Sequence, residues 1–253
     1  MIQTDEFRNQ TVLITGASAG IGAAAAHAFG NRGAHVMVHY NSRREAAAQV
    51  VKGIEAAGGT GEIVQADLGT SEGIQGLCAW LAARKVDILV NNAGSLVRRT
   101  KVLEFTPELM NQVLLLNFTS AFFVAQAVLA GMAERKHGII VNISSVAARN
   151  GGGIGALAYA SAKAALSAMT KNMAKEFAPA GIRVNTVSPG TIDTDYHRTF
   201  STEQMLNGVK AATPAGRLGT SEEVADAILY LCSDGARFIQ GQALEVNGGF
   251  LMV

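Results

Sequence analysis

Residues 11–22, which read TVLITGASAGIG, decide the fold of this 253-residue chain. They lead from a short apolar run, through glycines at positions 16, 20 and 22, into an Ala-rich segment. Gly16 permits a tight turn, Gly20 lets backbone N–H groups approach a pyrophosphate, and Gly22 allows close helix–sheet packing. The N-terminus of the following helix would face the phosphate charge. The stretch therefore predicts a strand–turn–helix unit that binds a nucleotide.

The rest of the chain continues this alternation of short β-branched runs and longer Ala-rich segments. The pattern predicts parallel strands joined by crossover helices, with several strands covered on both faces. No compositional break, linker or internal repeat marks a second domain. The predicted strands are 11–15, 35–40, 62–66, 87–91, 138–144, 182–188 and 243–246. The predicted helices are 21–31, 43–57, 71–83, 108–135, 159–178 and 222–233.

One segment, residues 193–213, departs from this alternation. It is polar and weakly periodic, and it lies between the sixth predicted strand and the last predicted helix. We predict that it forms a mobile flap or helical lid over a ligand site. A plain surface insertion is the alternative.

Composition and charge argue against several classes of protein. The formal net charge is +1 and no basic or acidic run occurs, which disfavours nucleic acid or an anionic membrane as the main partner. Residues 1–10 are polar, and no apolar run approaches the roughly 20 residues of a membrane span. The five histidines and two cysteines show no metal-ligand spacing. We therefore expect a cytoplasmic protein with reduced thiols, without a membrane segment or a bound metal.

The end of the second predicted strand indicates which dinucleotide is bound. An acidic residue there binds the ribose of NAD, whereas a nearby arginine accommodates the 2′-phosphate of NADP. Because two arginines and no acid occur at this place, NADP(H) is favoured and NAD(H) stays an alternative. The two arginines also fit the start of a solvated helix. The residues are Tyr40, Asn41, Ser42, Arg43 and Arg44.

A phenol and an ammonium group four residues apart indicate acid–base chemistry. Tyr159 and Lys163 lie on one face of a predicted helix. A free tyrosine has a pKa of about 10, too high for a base near neutral pH. A neighbouring lysine and a positive nicotinamide ring would favour the phenolate, and a shift of about 3 units corresponds to about 4 kcal/mol. Tyr159 is therefore predicted to be a general acid/base, although the pair alone also fits an ordinary helix face.

Other polar residues cluster at the carboxyl ends of predicted strands, where open α/β sheets bind ligands. Ser144 and Ser145 end the fifth strand. The segment 91–94 (NNAG) ends the fourth strand, and the segment 189–194 (PGTIDT) follows the sixth. Asn117 is an exception, because it lies within a long predicted helix.

With these motifs in this order, the chain resembles the short-chain dehydrogenase/reductase family over almost its whole length. The late segments 217–219 (RLG) and 247–249 (NGG) also match. The resemblance implies a single-domain α/β fold of Rossmann type, doubly wound, with a seven-stranded parallel sheet and helices on both faces. It also implies a homotetramer, and an NAD(P)-dependent oxidoreductase that transfers hydride between nicotinamide and a carbonyl or alcohol substrate.

The resemblance further implies the catalytic set Asn117, Ser145, Tyr159 and Lys163. Tyr159 would exchange a proton with the substrate oxygen, and Ser145 would hydrogen-bond that oxygen. Lys163 would lower the pKa of Tyr159 and hold the nicotinamide ribose. Asn117 would hold a water that connects Lys163 to solvent. Because the gap between the serine and the tyrosine is one residue longer than the commonest family spacing, Ser144 stays an alternative to Ser145.

The implied cofactor contacts are spread over the strand ends. Asp67 would contact adenine, while Asn91 and Gly94 would flank the adenosine. Ile192 and Thr194 would grip the carboxamide. The whole implied set is Gly16, Ser18, Gly20, Ile21, Gly22, Tyr40, Asn41, Ser42, Arg43, Asp67, Leu68, Asn91, Ala93, Gly94, Tyr159, Lys163, Pro189, Gly190, Ile192 and Thr194.

The substrate stays open at this level. The chain is similar to 3-oxoacyl-carrier-protein reductases and to sugar or polyol dehydrogenases of the same family. Arg135, Lys136 and Lys175 could form a basic dock for an acidic acyl carrier protein, or they could be solvated helix ends. A non-catalytic nucleotide-binding protein is a remote alternative, because a pure binder needs neither Tyr159 nor Lys163.

Overall fold

A single sheet of parallel strands organises residues 6–253, which the computed structural model describes apart from the side chains at positions 197 and 198. The strand order is β3-β2-β1-β4-β5-β6-β7. Because the chain moves outward from β1 in one direction and from β4 in the other, a crevice opens between their carboxyl ends. The strands are β1 (Thr11–Ile14), β2 (His35–Tyr40), β3 (Thr60–Gln65), β4 (Ile88–Asn91), β5 (Gly138–Ile143), β6 (Ile182–Pro189) and β7 (Ala243–Val246). The predicted seven-stranded, doubly wound fold is confirmed.

Helices cover both faces of the sheet, as continuous apolar strands require. On one face α1, α2 and α10 pack against the sheet, and on the other face α3, α5 and α7 do so. The helices are α1 (Gly20–Gly30), α2 (Arg44–Ala56), α3 (Ser71–Leu81), α4 (Pro107–Leu114), α5 (Ser120–Arg135), α6 (Ala147–Asn150), α7 (Leu157–Phe177), α8 (Asp195–Phe200), α9 (Glu203–Ala212) and α10 (Ser221–Cys232).

The predicted helix 108–135 is divided by a π-helical turn. This turn spans Leu115–Thr119 and separates α4 from α5. A π-helical turn shifts the hydrogen-bond ladder by one residue, and such turns are frequent at functional sites. It contains Asn117, whose side chain is fully buried. The periodicity of the sequence indicates a helix here but does not reveal the interruption.

The same stretch corrects one expectation about apolar runs. We predicted from the sequence that no segment is long and apolar enough to cross a membrane. By length and composition alone, the helical stretch Pro107–Arg135 is long and apolar enough. In the fold, α5 packs against β4 and β5 and buries side chains such as Val124, Leu129 and Met132. Its apolar character therefore has a structural cause, which is its position in the core.

The polar segment 193–213 folds into two short helices, α8 and α9. The Thr202 side chain accepts a hydrogen bond from the backbone N–H of Met205 and so caps α9. Both helices contribute residues to the wall of the cleft described below. The two thiols, Cys78 and Cys232, are unbridged. The first five residues of the polar N-terminal segment lie outside the described residues.

Candidate active site

A cleft of about 1010 Å³ lies at the carboxyl ends of the strands. We call the part formed by the β1–α1 turn and the ends of β2, β3 and β4 the nucleotide half, and it is lined by Gly16, Ser18, Ala19, Gly20, Ile21, His39, Asn41, Ser42, Arg43, Asp67, Leu68, Gly69, Thr70, Asn92, Ala93 and Gly94. The other part is the substrate half, and it is lined by Ser95, Leu96, Arg99, Ser145, Val146, Ala147, Asn150, Gly152, Gly153, Ala156, Tyr196, Thr199, Phe200, Ser201, Met205, Leu206 and Val209. Tyr159 and Lys163 line the wall between the two halves. The cleft therefore brings together segments from most of the chain.

The glycine turn between β1 and α1 has the geometry that its sequence predicts. Gly16 and Gly20 have positive φ values of 64° and 56°, which strain any residue with a side chain. A Cβ on Gly22 would lie 2.6 Å from the carbonyl oxygen of Gly16, so only glycine fits. Gly22 does not itself line the cleft, and its role is to let α1 approach the turn. Ser18 and Ile21 both line the cleft.

Asn92 holds the glycine turn, whereas Asn91 does not reach the cleft. The Asn92 amide donates hydrogen bonds to the carbonyl oxygens of Thr15 (2.9 Å) and Gly16 (3.1 Å). Asn91 points into the fold and donates to Asn142 Oδ1 at 2.9 Å. The Asn91 side chain is therefore not directed at the adenosine site, because alternate residues of a strand point to opposite faces. Ala93 and Gly94 line the cleft as expected.

His39 is a residue of this site that the sequence did not reveal. Its Nδ1 accepts a hydrogen bond from Gly16 N at 3.0 Å, and its Nε2 lies 3.1 Å from the carbonyl oxygen of Ala66. The imidazole is therefore neutral, with its proton on Nε2, and it connects the glycine turn to the loop after β3. Burial lowers the pKa of His39 to about 4, although Ala66 and Asp67 oppose that change. A single histidine without metal-ligand spacing gives no sequence signal for such a role.

Of the four cofactor contacts predicted at the end of β2, three residues line the cleft and one does not. The Tyr40 side chain is buried in the apolar core and does not line the cleft, so its predicted cofactor role is wrong. Asn41, Ser42 and Arg43 do line it. Arg43 Nη1 lies 3.4 Å from Asp195 Oδ2, which joins the nucleotide half to α8 across the mouth of the cleft. Two further predicted residues, Asp67 and Leu68, line the same half.

The segment after β6 forms the remaining wall. Gly190 lies against the Asn247 backbone, and a Cβ there would be 2.9 Å from Asn247 Cα. Ile192 pairs with Gly219 in an isolated parallel bridge, which fixes the start of the segment 193–213. A Cβ on Gly20 would lie 3.4 Å from Thr194 Cγ2, so this wall approaches the glycine turn closely. The predicted residues Pro189, Gly190, Ile192 and Thr194 all line the cleft.

The hydroxyls of Ser145 and Tyr196 lie beside the Tyr159 hydroxyl and favour its ionised form. Ser145 Oγ also accepts a hydrogen bond from Ala147 N at 3.1 Å, so its proton is free to be donated toward Tyr159. Ser144 Oγ instead donates to the Lys163 carbonyl oxygen at 2.9 Å and is buried. The structure therefore brings Ser145, and not Ser144, to the tyrosine. Tyr196 lies on α8 in a polar segment whose sequence does not indicate this contact.

Lys163 and Asn117 lie behind Tyr159, around Gly94. Lys163 Nζ donates to the Ile143 carbonyl oxygen at 2.8 Å and lies 5.5 Å from the centre of the Tyr159 ring. A Cβ on Gly94 would lie 2.7 Å from Asn117 Oδ1 and 3.0 Å from Lys163 Nζ. The three residues are therefore packed together as expected.

The Asn117 side chain is occupied by backbone groups rather than directed into the cleft. Its Nδ2 donates to the carbonyl oxygens of Ser95 (2.8 Å) and Val113 (2.9 Å), and its Oδ1 accepts from Ser95 N at 3.0 Å. Asn117 thus joins the loop after β4 to the π-helical turn. A water held by this side chain would have to share Oδ1, so we treat Asn117 as a positioning residue.

The electrostatics of the pair differ from the sequence prediction. Burial raises the pKa of the Tyr159 phenol, while the hydrogen bonds from Tyr196 and Ser145 oppose that rise. Burial also lowers the pKa of Lys163 to about 8. The expected lowering of the Tyr159 pKa by Lys163 is therefore not seen in the free protein. Desolvation is the largest cause of the Tyr159 shift, and the Lys163 ammonium donates to the Ile143 carbonyl oxygen instead of the phenol.

The residues present fit a dinucleotide. The glycine turn offers backbone N–H groups at the N-terminus of α1, in a cradle that added Cβ atoms would fill. Arg43 lies where an adenosine ribose with a 2′-phosphate would end. Among residues 6–253, no group of three His, Cys, Asp or Glu side chains could hold a metal ion. The glycine turn and Arg43 are the features that suit the site to a dinucleotide.

The chain is similar in sequence to known proteins over almost its whole length. The family model described as Enoyl-(Acyl carrier protein) reductase matches residues 16–251. The 3-oxoacyl-[acyl-carrier-protein] reductase of Escherichia coli K12 is 40% identical over 249 residues, covering 98% of this chain and 99% of the relative.

Solved structures give the same result. A Beutenbergia cavernae protein assigned as an NAD(P)-dependent gluconate 5-dehydrogenase, with NADP bound, has a TM-score of 0.90 and 34% identity, covering 96% of this chain and 97% of its own. A 3-oxoacyl-[acyl-carrier protein] reductase of Brucella melitensis, with NAD bound, has a TM-score of 0.89 and 33% identity, covering 100% and 95%. The chain therefore belongs to the short-chain dehydrogenase/reductase family and is an NAD(P)-dependent oxidoreductase.

Proposed function

We propose that this enzyme reduces the carbonyl group of a small molecule with NADPH and that Tyr159 is its general acid. One observation carries the proposal: Tyr159 and Ser145 line the same cleft side by side, with the Lys163 ammonium one helical turn behind the tyrosine. A pure binding protein would need none of this arrangement.

The free protein is prepared for the reductive direction. Because burial raises the pKa of Tyr159, the phenol is protonated at neutral pH and can donate. Ser145 donates a second hydrogen bond to the substrate oxygen and so stabilises the charge that develops there. Bound nicotinamide supplies or accepts hydride at the substrate carbon. Lys163 would hold the ribose of the bound cofactor, and its ammonium, which is 5.5 Å from the centre of the Tyr159 ring in the free protein, would then ease loss of the proton.

The preference for NADPH rests on Arg43, supported by Ser42 and Asn41. A guanidinium group binds a phosphate as a planar fork, which suits the 2′-phosphate of NADP. No carboxylate lines the cleft at the end of β2, where NAD users hold the ribose. Ala19 offers no second cation from the glycine turn, so NADH remains the weaker but competent cofactor in this proposal.

Two substrate classes follow from the relatives. The E. coli relative supports a 3-oxoacyl thioester on an acyl carrier protein, and the Beutenbergia relative supports a sugar acid or polyol. The basic dock predicted for a carrier protein is not favoured by the structure. Arg135 donates to the Val86 carbonyl oxygen and lies 3.9 Å from buried Asp87, beside the amino ends of β4 and β5. That edge of the sheet is opposite to the cleft.

We further propose that the enzyme acts as a homotetramer in the cytoplasm. Phe123 on α5 and Leu157 on α7 are 42% and 43% exposed, and near the C-terminal end Phe238 and Met252 are 99% and 78% exposed. Large apolar side chains in two separate places favour two kinds of subunit contact. The free thiols agree with a reducing compartment.

The segment 193–213 completes the proposal as a lid of the one catalytic domain. It contributes Tyr196 to the cleft, and it touches the nucleotide half through Asp195. Closing over bound substrate would exclude water from the reacting atoms, which strengthens the hydrogen bonds made there.

The test is NADPH oxidation by the purified protein with ketones, aldehydes, keto sugar acids and 3-oxoacyl thioesters. We expect turnover of at least one class and a fall of about 10²- to 10⁴-fold in kcat for Tyr159→Phe, with NADPH affinity retained. Tyr230→Phe, which alters a half-exposed tyrosine on α10, is the matched control. Unchanged turnover in Tyr159→Phe would exclude the assigned acid. NADPH binding without turnover of any substrate would favour the non-catalytic alternative.

A further inference from the structure

Arg99 brings a fixed positive charge into the substrate half of the cleft. It belongs to the loop after β4, is partly buried, and lines the cleft together with Tyr159 and Ser145. Its Nε donates to the Phe200 carbonyl oxygen at 2.6 Å, and its Nη1 donates to the Ile154 carbonyl oxygen at 3.0 Å. The guanidinium is therefore held in one orientation between α8 and the glycine-rich loop 151–155.

This guanidinium has hydrogen-bond acceptors but no counter-charge. Among the residues that the structure describes, no carboxylate forms an ion pair with Arg99. The carboxylates that line the cleft, Asp67 and Asp195, belong to the nucleotide half or contact it. Asp67 Oδ1 accepts from Gly69 N at 2.9 Å, and Asp195 lies 3.4 Å from Arg43. A partly desolvated cation that lacks an anion is costly unless its ligand brings one.

Arg99 is also close to the reacting centre. It interacts electrostatically with the Tyr196 phenol, and Tyr196 is hydrogen-bonded to the Tyr159 hydroxyl. One side chain therefore separates the guanidinium from the proposed acid. Since Nε and one Nη1 proton bind backbone oxygens, and Nη2 donates to none of the residues that the structure describes, the Nη2 protons stay available for a ligand.

We infer that Arg99 binds a carboxylate of the substrate, so that the enzyme acts on a small oxo acid or hydroxy acid whose carboxylate lies a few bonds from the reacting carbon. The inference rests on the proposed function and narrows its substrate class. A carboxylate offers the planar pair of oxygens that a guanidinium matches. A 3-oxoacyl thioester has no such group near its carbonyl. An oxo acid would therefore need Arg99 for binding, whereas a 3-oxoacyl thioester would not.

The test compares substrates that differ only in charge. 5-Ketogluconate and L-sorbose share a ketohexose chain, with a carboxylate in the first where the second has a hydroxymethyl group. Acetoacetate and its ethyl ester form a shorter pair. We expect kcat/KM to favour the carboxylate in at least one pair. Arg99→Gln should lower kcat/KM for that carboxylate by about 10- to 100-fold and change the uncharged partner by less than about threefold.

Controls separate charge from structure. Arg99→Gln keeps an amide donor near the position of Nε for the Phe200 carbonyl oxygen, and Arg99→Lys keeps the charge and should recover part of the preference. Arg98→Ala removes an adjacent, exposed arginine that does not line the cleft, and it should leave the preference unchanged. Added guanidinium ion should partly rescue Arg99→Ala on the carboxylate alone, whereas a collapsed lid would slow both members of a pair equally.

The failure of this inference is distinguishable from failure of the proposed function. Equal losses on charged and uncharged partners in Arg99→Gln would overturn the inference and leave Arg99 as a structural clamp. Tyr159-dependent turnover of 3-oxoacyl thioesters or neutral ketones, without preference for a carboxylate in either pair, would also overturn it while the proposed function stands. Absence of all carbonyl reduction would remove the proposed function itself.

Discussion

The nucleotide half and the substrate half of the cleft are built in different ways. Backbone groups dominate the nucleotide half, where Gly16, Gly20 and Gly22 leave room and Asn92 and His39 hold the turn from either side. Side chains and loops dominate the substrate half. A cofactor that many relatives share is thus held by backbone conformation, whereas a particular substrate is selected by side chains on adjustable segments.

The two halves of the cleft should therefore differ in how well they tolerate amino-acid substitutions. A Cβ at Gly16 or Gly22 in the nucleotide half would touch backbone atoms and the Asn92 amide, which is held by two hydrogen bonds and has little freedom to move. A change in the substrate half meets side-chain termini and surface helices. Substitutions should therefore affect cofactor binding and stability in the first region, and substrate choice or pH dependence in the second.

Gly22→Ala should have the largest effect and break the nucleotide half. The added Cβ would lie 2.6 Å from the Gly16 carbonyl oxygen, so the turn must open. We expect a loss of about 1–3 kcal/mol in the free energy of unfolding and an NADPH affinity lower by about 100-fold or more, which corresponds to about 2.7 kcal/mol. Denaturant unfolding and NADPH titration measure both.

Gly208→Ala is the matched control in the lid. No atom lies within 4 Å of a Cβ at Gly208 in α9, so alanine should be neutral or stabilising by up to about 1 kcal/mol. If Gly22→Ala bound NADPH normally, the rigidity assigned to the nucleotide half would be wrong.

His39 should make stability fall between about pH 6.5 and pH 4. Its pKa is lowered to about 4 in the fold, against about 6.5 unfolded. The unfolded chain therefore takes up a proton in this window before the folded chain does, so stability present above pH 6.5 is lost on acidification. The contribution is roughly 3 kcal/mol, set by the 2.5-unit difference.

The measurement compares urea unfolding of the wild type and His39→Gln at several pH values. The wild type should lose stability relative to the variant as the pH falls, and NADPH affinity should decrease in the variant because the flexible amide cannot hold Gly16 N and the Ala66 carbonyl oxygen at the spacing that the rigid imidazole sets. His137→Gln, at an exposed position, is the control. Parallel pH curves for wild type and His39→Gln would contradict the neutral, buried imidazole.

Tyr196→Phe should act on the substrate half and have a moderate effect. The Tyr196 hydroxyl favours the Tyr159 phenolate, so its removal should raise the pKa of Tyr159 further. Alcohol oxidation needs the phenolate, and its pH profile should therefore move to higher pH, with kcat lower by about 3- to 10-fold, as for one hydrogen bond of 0.5–1.5 kcal/mol. An unchanged profile would show that Tyr196 leaves the phenol once substrate is bound.

Asp195→Asn should have the smallest effect and test the connection between the two halves. The Arg43–Asp195 pair is 3.4 Å long and more than half exposed at both ends, so it contributes at most about 1 kcal/mol. Freed from Asp195, Arg43 should bind the 2′-phosphate slightly better, by up to about fivefold, at low salt. Titration with NADPH and NADH should show the gain for NADPH alone, and Asp226→Asn provides the control for net charge.

Much of the fold follows from local pattern. Strand and helix positions were predicted within a few residues, because apolar periodicity and the glycine turn are properties of neighbouring residues. The differences between prediction and structure concern two things that a local pattern does not show, namely the direction of a side chain at a strand end and an interruption within a helix. Tyr40 and Asn91 lie at the correct strand ends but point into the fold, and the π-helical turn around Asn117 interrupts a helix that its periodicity shows as continuous.

By itself, then, the sequence determined the doubly wound sheet, the dinucleotide turn and the pairing of Tyr159 with Lys163, since each depends on residues close together in the chain. Only the tertiary structure placed His39 under the glycine turn, Tyr196 on the Tyr159 hydroxyl and Arg99 against Phe200, 101 residues away. Such contacts depend on how loops from distant strand ends meet. No local pattern encodes that meeting, because it is fixed by the packing of the whole sheet.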